Sequence, residues 1–194
     1  MSPHGRLVVI SGPSGVGKDT VIRRLRERAP WLCKSVSVTT RPPRPGEVDG
    51  RDYTFLDPPA FAALQAQGAF LEMAQVHGNW YGTLVERVAA VRERGEDVLL
   101  KIDVQGAAQL RDRGEDALFI FLLPPSRAEL AARLQGRETE DAAARARRAQ
   151  DADHELAEAE RYQHRVVNDE VDRTVDEVLR LLAAAGVVPP PVPR

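Results

Sequence analysis

Residues 7–20 read Leu-Val-Val-Ile-Ser-Gly-Pro-Ser-Gly-Val-Gly-Lys-Asp-Thr, an apolar run followed by a glycine-rich loop and a segment that can be helical. This order of strand, glycine-rich loop and helix is typical of a phosphate-binding P-loop. Gly12, Gly15 and Gly17 allow backbone angles that a side chain would forbid, so successive N–H groups can converge on phosphate oxygens at a helix N-terminus. Lys18 adds a mobile point charge suited to β- and γ-phosphates.

The loop departs from the usual motif at one position. Its eighth residue is normally Ser or Thr, whose hydroxyl binds Mg²⁺, and here it is Asp19 followed by Thr20. The alternative interpretation, a glycine-rich turn that only permits tight packing, leaves the other seven matching positions and the flanking segments unexplained. The sequence therefore predicts a phosphate site formed by Gly12, Pro13, Ser14, Gly15, Val16, Gly17, Lys18, Asp19 and Thr20, with Asp19 as a metal ligand for Mg²⁺, directly or through water.

Composition restricts the class of protein. The chain has 194 residues, is 43% hydrophobic and carries a net charge of -2, which fits one globular domain and argues against nonspecific nucleic-acid binding. Of its 27 Lys and Arg residues only three are Lys, and one of these is Lys18, where a compact ammonium suits the loop better than a planar guanidinium. Cys33 is the only cysteine, so no intrachain disulfide or zinc framework is expected.

No apolar stretch approaches the ~20 residues that span a bilayer, and the first strand begins too early to leave room for a signal or transit peptide. We therefore expect a cytoplasmic protein with no membrane partner, no nucleic-acid partner and no obligate protein partner. The four histidines have no clustered partner in the sequence and suggest neither metal nor base chemistry.

Short β-rich runs alternate with helical ones along the chain. Strands are predicted at residues 6–11, 34–39, 53–56, 70–76, 97–102, 118–123 and 165–167, and helices at 17–28, around 61–66, at 84–94, from Ser126, at about 140–162 and at 171–185. Glu129 follows Ser126 by three residues and completes a capping box. Asn168 and Asp169 are interpreted as a cap of the last helix.

Strands joined through helices predict an α/β fold with a P-loop NTPase-type core, in which a mostly parallel sheet is flanked by helices and ligands bind at the carboxyl ends of the strands. Residues 35–90 have shorter strands and interrupt the alternation, so they are expected to form an inserted substrate-binding lobe. The core then comprises about 1–34 and 91–188. Residues 136–150, rich in Arg, are predicted to form a mobile lid, and residues 189–194 a proline-rich tail.

A second group of residues bears on the phosphoryl acceptor. The stretch from Ser37 to Tyr53 contains Arg41 and Arg44, and two guanidinium groups near a phenol suit a phosphate monoester. Glu72, the segment 78–83 and Asp103, at the end of its strand, follow further along the chain.

With these residues in view, the sequence resembles guanylate kinases from the first strand to about Asp176. The resemblance implies transfer of the γ-phosphoryl group of ATP to GMP, which gives ADP and GDP, with Mg²⁺ accompanying ATP. It implies guanine recognition by Ser37, Glu72, Thr83 and Asp103. It implies that the GMP phosphate is held by Arg41, Arg44, Tyr53 and Tyr81. It also implies that Lys18, Arg41, Arg137 and Arg148 are catalytic, and that Arg133 matches a lid position.

The resemblance includes a second departure. The residue two positions before Asp103 is commonly acidic in this family, and here it is Lys101. Because the last loop residue and the neighbouring strand end lie close together in a P-loop fold, we expect Asp19 and Lys101 to form a compensating ion pair near the β- and γ-phosphates.

Two other functions remain open from the sequence. A related P-loop kinase acting on a sugar phosphate also fits, because some such kinases carry Gly-Lys-Asp in the loop. A noncatalytic module that binds phosphorylated peptides is the second alternative, although such domains have typically lost the loop lysine and the lid arginines, which this chain retains.

Overall fold

The structure of the chain is a computed structural model that describes residues 5–135 and 151–190. The predicted lid at residues 136–150 and the last residues of the predicted tail, 191–194, lie outside the described residues. The described strands are β1 (Leu7–Ser11), β2 (Cys33–Lys34), β3 (Val38–Thr39), β4 (Thr54–Phe55), β5 (Phe70–Val76), β6 (Asn79–Leu84), β7 (Val98–Lys101), β8 (Ala117–Leu123) and β9 (His164–Val167).

Helices alternate with these strands. The described helices are α1 (Lys18–Arg28), α2 (Pro58–Ala66), α3 (Val85–Arg92), α4 (Val104–Asp112), α5 (Arg127–Gln135), α6 (described over residues 151–157) and α7 (Val171–Ala184), with one 3₁₀ turn at Glu158–Arg161. The amide of Glu129 donates to the Ser126 hydroxyl (3.1 Å), which confirms Ser126 as the cap of α5. In the part of the chain described, no helix combines the length and the apolar character that a membrane span needs.

The larger sheet has the strand order β2-β7-β1-β8-β9, and all four neighbouring pairs are parallel. Successive side chains of β1 point to opposite faces, so Val8 and Ile10 pack with α1 and α7 while Leu7 and Val9 pack with α3 and α4. Both faces of the sheet are thereby buried, as a parallel sheet requires. The predicted α/β fold with a mostly parallel sheet flanked by helices is confirmed.

The smaller sheet has the order β4-β3-β6-β5, with β3 and β4 parallel and the other two pairs antiparallel. A separate apolar cluster, formed by Val38, Phe61, Phe70 and Leu84, lies beneath it. All four of these strands fall between residues 38 and 84, the part of the chain predicted to be an inserted lobe.

One strand prediction is wrong. Residues 34–39 were expected to form a single strand, but Cys33–Lys34 pairs with β7 in the larger sheet and Val38–Thr39 pairs with β4 and β6 in the smaller one. The chain leaves one sheet and joins the other within four residues. Because the whole run has the β-rich composition of a strand, local sequence contains no sign of this break.

Candidate active site

The carboxyl ends of β1, β7 and β9 meet at one edge of the larger sheet, as is general for ligand sites in parallel sheets. The glycine-rich loop follows β1 at this edge, Asp103 follows β7, and Asn168 follows β9. Gly12, Gly15 and Gly17 all have positive φ, at 149°, 80° and 99°. Gly17 immediately precedes α1, so the loop presents its amides at a helix N-terminus, the arrangement that the sequence predicts for a phosphate cradle.

The P-loop has internal partners in this structure. The Lys18 ammonium donates to the carbonyl oxygens of Gly12 (2.5 Å) and Pro13 (3.0 Å). The Ser14 amide donates to the carboxylate of Glu155 from α6 (2.9 Å). Burial lowers the pKa of Lys18, although Glu155 opposes this effect, and burial likewise raises the pKa of Glu155. The cradle thus contains a carboxylate where a phosphate oxygen can bind.

Asn168 supports the loop and does not cap α7, so that prediction is wrong. The N-cap of α7 is Glu170, and no side chain makes a capping hydrogen bond there. The buried Asn168 amide donates to the carbonyl of Val16 (2.7 Å) and accepts from the Thr174 hydroxyl (3.0 Å). A Cβ at Gly17 would approach the Asn168 nitrogen to 2.7 Å, so this contact requires glycine at position 17.

Three predicted guanine-site residues converge on one point. The Thr83 hydroxyl donates to the buried Glu72 carboxylate (2.6 Å), and the Asp103 carboxylate accepts from the Gly106 amide (2.9 Å). A Cβ at Gly106 would lie 2.2 Å from the Glu72 carboxylate and 3.4 Å from that of Asp103. Both carboxylates therefore lie beside Gly106, a residue that the sequence did not single out.

Burial dominates the electrostatics of Glu72. It raises the pKa of this carboxyl to about 7, and nearby Asp103 adds to the rise, while the hydrogen bond from Thr83 opposes it. Burial also raises the pKa of Asp103. A buried acceptor and a partly buried one beside it are costly to leave unpaired, so the two carboxylates favour a ligand that presents donors.

A cavity of about 310 Å³ joins the P-loop to the predicted acceptor residues. Its lining includes Ser14, Gly15, Gly17, Lys18, Asp19 and Thr20 from the loop, and Ser37, Arg44, Tyr53, Glu72, Tyr81 and Asp103 from the acceptor group. Thr83 does not line the cavity but is buried behind Glu72. The two sets of predicted residues, which are far apart in the sequence, therefore line the same space.

Arg41 is arranged differently from the other predicted phosphate ligands. Its guanidinium is buried and makes a bidentate pair with Glu47, at 2.9 and 2.8 Å, that raises the pKa of Arg41. It also lies 5.4 Å from the centre of the Tyr53 ring. In this structure Arg41 does not line the cavity, and its anion partner is the Glu47 carboxylate, which sequence reasoning missed.

The predicted ion pair between Asp19 and Lys101 is confirmed. The Lys101 ammonium lies 2.5 Å from an oxygen of Asp19. Burial acts to raise the pKa of Asp19, but Lys101 outweighs it, so the pKa is lowered and the group stays a carboxylate. The Lys101 side chain is only 11% exposed, whereas that of Asp19 is 82% exposed and open to the cavity.

The donor set at this point fits Mg²⁺ held together with a nucleotide. Asp19 offers an ionised oxygen ligand at the cavity wall, and Thr20 places a hydroxyl beside it. Within residues 5–135 and 151–190 no group of three or more His, Cys, Asp or Glu side chains forms a metal cage. Mg²⁺ commonly uses one or two carboxylates plus substrate phosphates and water, and Asp19 provides one carboxylate.

Sequence reasoning also missed Glu155, which lies in a long helical run of mixed charge without a motif of its own. Its proximity to Ser14 arises only from the packing of α6 on the loop. The predicted catalytic residues Arg137 and Arg148 lie outside the described residues. Arg133 is described, and its guanidinium donates to the Val16 carbonyl (3.2 Å) at the P-loop.

Comparison with known proteins agrees with the geometry. A family model described as Guanylate kinase matches residues 4–185. The guanylate kinase of Gloeobacter violaceus is 51% identical over 93% of this chain and 88% of its own length, and that of Syntrophotalea carbinolica is 46% identical over 96% and 89%. A crystal structure of guanylate kinase from Anaplasma phagocytophilum superposes with a TM-score of 0.79 at 35% identity, covering 94% of this chain and 86% of that one. The chain belongs to the guanylate kinase family.

Proposed function

We propose that this chain transfers the γ-phosphoryl group of ATP to GMP and releases ADP and GDP. The observation that carries the proposal is a shared cavity. The P-loop lines it, and so do Arg44, Tyr53, Glu72 and Asp103. The family to which the chain belongs supports the same reaction. The proposal includes a cytoplasmic protein without nucleic-acid, membrane or obligate protein partners.

Glu72 and Asp103 select guanine in this proposal. Guanine presents N1–H and an exocyclic amine, both donors, and the two carboxylates beside Gly106 are acceptors. Adenine would leave these acceptors unpaired in a desolvated pocket, and rejection of this kind can reach ~10⁴-fold. Ser37 and Thr83 complete the guanine site, and Thr83 orients Glu72 through its hydroxyl.

The acceptor phosphate binds to Arg44, Tyr53 and Tyr81, and Arg41 joins them when its guanidinium turns from Glu47 to the phosphate. A phosphate monoester is already anionic near neutral pH, so it needs no general base. The chain's task is to align acceptor and donor and to neutralise the charge that moves between them. Lys18 does so from the P-loop, and Arg137 and Arg148 do so from the lid at residues 136–150.

Mg²⁺ arrives with ATP and would be held by Asp19, directly or through water, with Thr20 beside it. When bound, the ion neutralises charge on the β- and γ-phosphates.

Closure of the lobe at residues 35–90 and of the lid excludes water from the site, which protects ATP from hydrolysis. The core of about residues 1–34 and 91–188 provides the donor site.

A coupled ADP-release assay tests the proposed reaction, with GMP, AMP, UMP, CMP and a ribose phosphate offered as acceptors in parallel. We expect turnover with GMP to exceed that with each other acceptor by at least ~100-fold in kcat/KM, because only GMP satisfies both carboxylates. A rate with GMP no better than with AMP would refute the guanine site. Turnover of the sugar phosphate alone would favour the related kinase class, and binding of GMP without turnover would favour a noncatalytic module.

The proposed metal ligand needs a separate test. Asp19→Ala should weaken binding of Mn²⁺, used as a paramagnetic substitute for Mg²⁺, to the ATP-bound protein by roughly tenfold, because a charged ligand is lost. Electron paramagnetic resonance of free Mn²⁺ measures this affinity without turnover. Asp19→Ser, which restores the usual hydroxyl, is the matched control. Unchanged Mn²⁺ affinity in both variants would exclude Asp19 as a ligand.

A further inference from the structure

All three lysines of this chain, Lys18, Lys34 and Lys101, interact with the carboxylate of Asp19. Lys101 does so through a direct hydrogen bond and its charge, and Lys18 and Lys34 do so through their charge. The other 24 cationic residues, all Arg, are spread over the rest of the sequence. The ammonium groups are therefore concentrated at one place, the rim between the P-loop and the acceptor residues.

Lys101 has the central position in this cluster. It is the last residue of β7, at the carboxyl edge of the larger sheet, and its ammonium lies 4.8 Å from the centre of the Tyr53 ring as well as 2.5 Å from Asp19. One contact belongs to the P-loop and the other to the proposed acceptor-phosphate site. Lys101 therefore lies at the junction of the two.

The cavities also place Lys101 at the junction between the P-loop and the proposed acceptor-phosphate site. The cavity that holds the proposed active site adjoins a second one of about 630 Å³, and the two share five lining residues: Asp19, Thr20, Arg44, Tyr53 and Lys101. A residue that lines both cavities forms part of the wall between them. The Lys101 ammonium is mostly buried in that wall, between the P-loop residues and Tyr53.

The charges around Lys101 are incompletely balanced. The Lys101 side chain is only 11% exposed, so little water screens its charge. That charge repels the charges of Lys18 and Lys34. Among residues 5–135 and 151–190, Asp19 is the carboxylate that accepts a hydrogen bond from Lys101, and an ammonium has three donors. A phosphate group at this junction would relieve the repulsion among the lysines.

We propose that Lys101 is a phosphate-binding residue of this chain, positioned by Asp19, and that it binds a phosphate of the reacting nucleotides at the junction of the two cavities. The inference rests on the proposed function. In this arrangement Lys101 and Lys18 bind from different sides of the P-loop rim, and Asp19 has two tasks: it orients Lys101 with one carboxylate oxygen and keeps the other for a cation. The ligand chemistry is a phosphate monoester or the terminal phosphate of a nucleoside triphosphate.

Isothermal titration calorimetry without added metal tests the proposal in binary complexes. Lys101→Met should weaken binding of the phosphate that Lys101 contacts by roughly 30-fold, because a charge-assisted hydrogen bond in a partly buried site is lost. Guanosine compared with GMP reports on the acceptor phosphate, and ADP compared with ATP reports on the terminal donor phosphate. A reduced GMP/guanosine or ATP/ADP affinity ratio supports the proposal and identifies which phosphate is bound.

Two further variants separate binding from support of the fold. Lys101→Arg keeps the positive charge and should restore most of the affinity ratio that Lys101→Met loses. If Lys101 only supported the fold, Lys101→Met would weaken binding of the phosphorylated and the unphosphorylated ligand alike. Lys34→Met removes an ammonium that lines only the second cavity, and we expect it to change either ratio less than about threefold. Asp19→Asn leaves Lys101 in place but removes the carboxylate that positions it. We therefore expect this variant to reduce the affinity ratio less than Lys101→Met does.

Nuclear magnetic resonance of the side-chain amino groups provides a direct readout, because the chain has only three lysines. Addition of GMP or ATP to wild-type protein should shift the resonance that disappears in Lys101→Arg. The proposal is overturned if both affinity ratios are unchanged in Lys101→Met and this resonance does not move. If wild-type protein binds no GMP at all, the proposed function fails first, and the ATP/ADP ratio still tests Lys101.

Discussion

The P-loop donor cradle and the acceptor pocket, for which we propose the same ligand group, phosphate, are built differently. The donor cradle is mainly backbone from consecutive residues, Gly12 to Lys18. The acceptor pocket consists of side chains from separate elements: Ser37 before β3, Tyr53 before β4, Glu72 on β5, Tyr81 on β6 and Asp103 before α4. In this structure a carboxylate is paired with one predicted phosphate-binding group of each region: Glu155 accepts from the Ser14 amide, and Glu47 pairs with Arg41 beside the pocket.

This difference predicts which substitutions each region should tolerate. A backbone cradle needs glycines and one ammonium, so the chain can carry Asp19 in place of a hydroxyl and still form the loop. A side-chain pocket depends on each carboxylate and phenol, because a buried acceptor without its partner is costly. Variants of the donor cradle should therefore impair the chemical step, and variants of the acceptor pocket should impair recognition.

Lys18→Met should have the largest effect, a loss of roughly 10³-fold in kcat, because a positioned charge on the transferring phosphoryl group is removed. GMP affinity should change less than about threefold, since Lys18 belongs to the other cradle. Steady-state rates and calorimetric titration with GMP measure the two quantities. A large loss of GMP affinity in this variant would show that the two cradles do not act separately.

Glu72→Gln should weaken GMP binding by about 100-fold, because the amide replaces an acceptor with a donor opposite the guanine donors. Binding of ATP should be unchanged, and calorimetry with each nucleotide measures both. The matched control is Glu86→Gln on α3, an exposed carboxylate away from the cavity. Equal GMP affinity in Glu72→Gln and wild type would remove Glu72 from the guanine site.

The pH dependence of guanosine binding follows from the raised pKa of Glu72, about 7 in this structure. Below that pH the group is protonated and must lose its proton to accept from guanine, so affinity should fall about tenfold from pH 8 to pH 6. Guanosine is chosen because it has no phosphate that titrates in this range. In Glu72→Gln the profile should be flat. A flat profile in wild type would mean that Glu72 is already ionised before the ligand binds.

Glu155→Gln should have the smallest effect, a tightening of ADP binding by roughly threefold to tenfold. The charged competitor for the Ser14 amide becomes a neutral one, and neutral hydrogen bonds are about half as strong. Asp153→Asn is the control, because it changes a carboxylate on the same helix that is paired with Arg127 (2.9 Å). Weaker ADP binding in Glu155→Gln would instead mean that Glu155 supports the loop.

Local sequence pattern was sufficient to predict the elements whose apolar or glycine-rich signal runs unbroken along the chain. The strand at 70–76 has the predicted bounds, and the glycine-rich loop stands between a strand and a helix as its sequence indicates. The Asp19–Lys101 pair was also predictable, because in a P-loop fold the last residue of the loop lies close to the end of the strand that neighbours β1. The break within residues 34–39 was not, since two short strands in different sheets have the same local composition as one longer strand.

The amino-acid sequence alone determined the strand, loop and helix of residues 7–20 and the chemical types of residue available for the two nucleotides. It did so because positive φ at glycine, helix capping and the period of apolar residues are local properties. The placement of Glu72 and Asp103 beside Gly106, of Glu155 on the P-loop, and of the Lys101 ammonium over the Tyr53 ring followed only from the folded chain. These contacts join residues far apart in sequence, and the packing of sheets and helices brings them together.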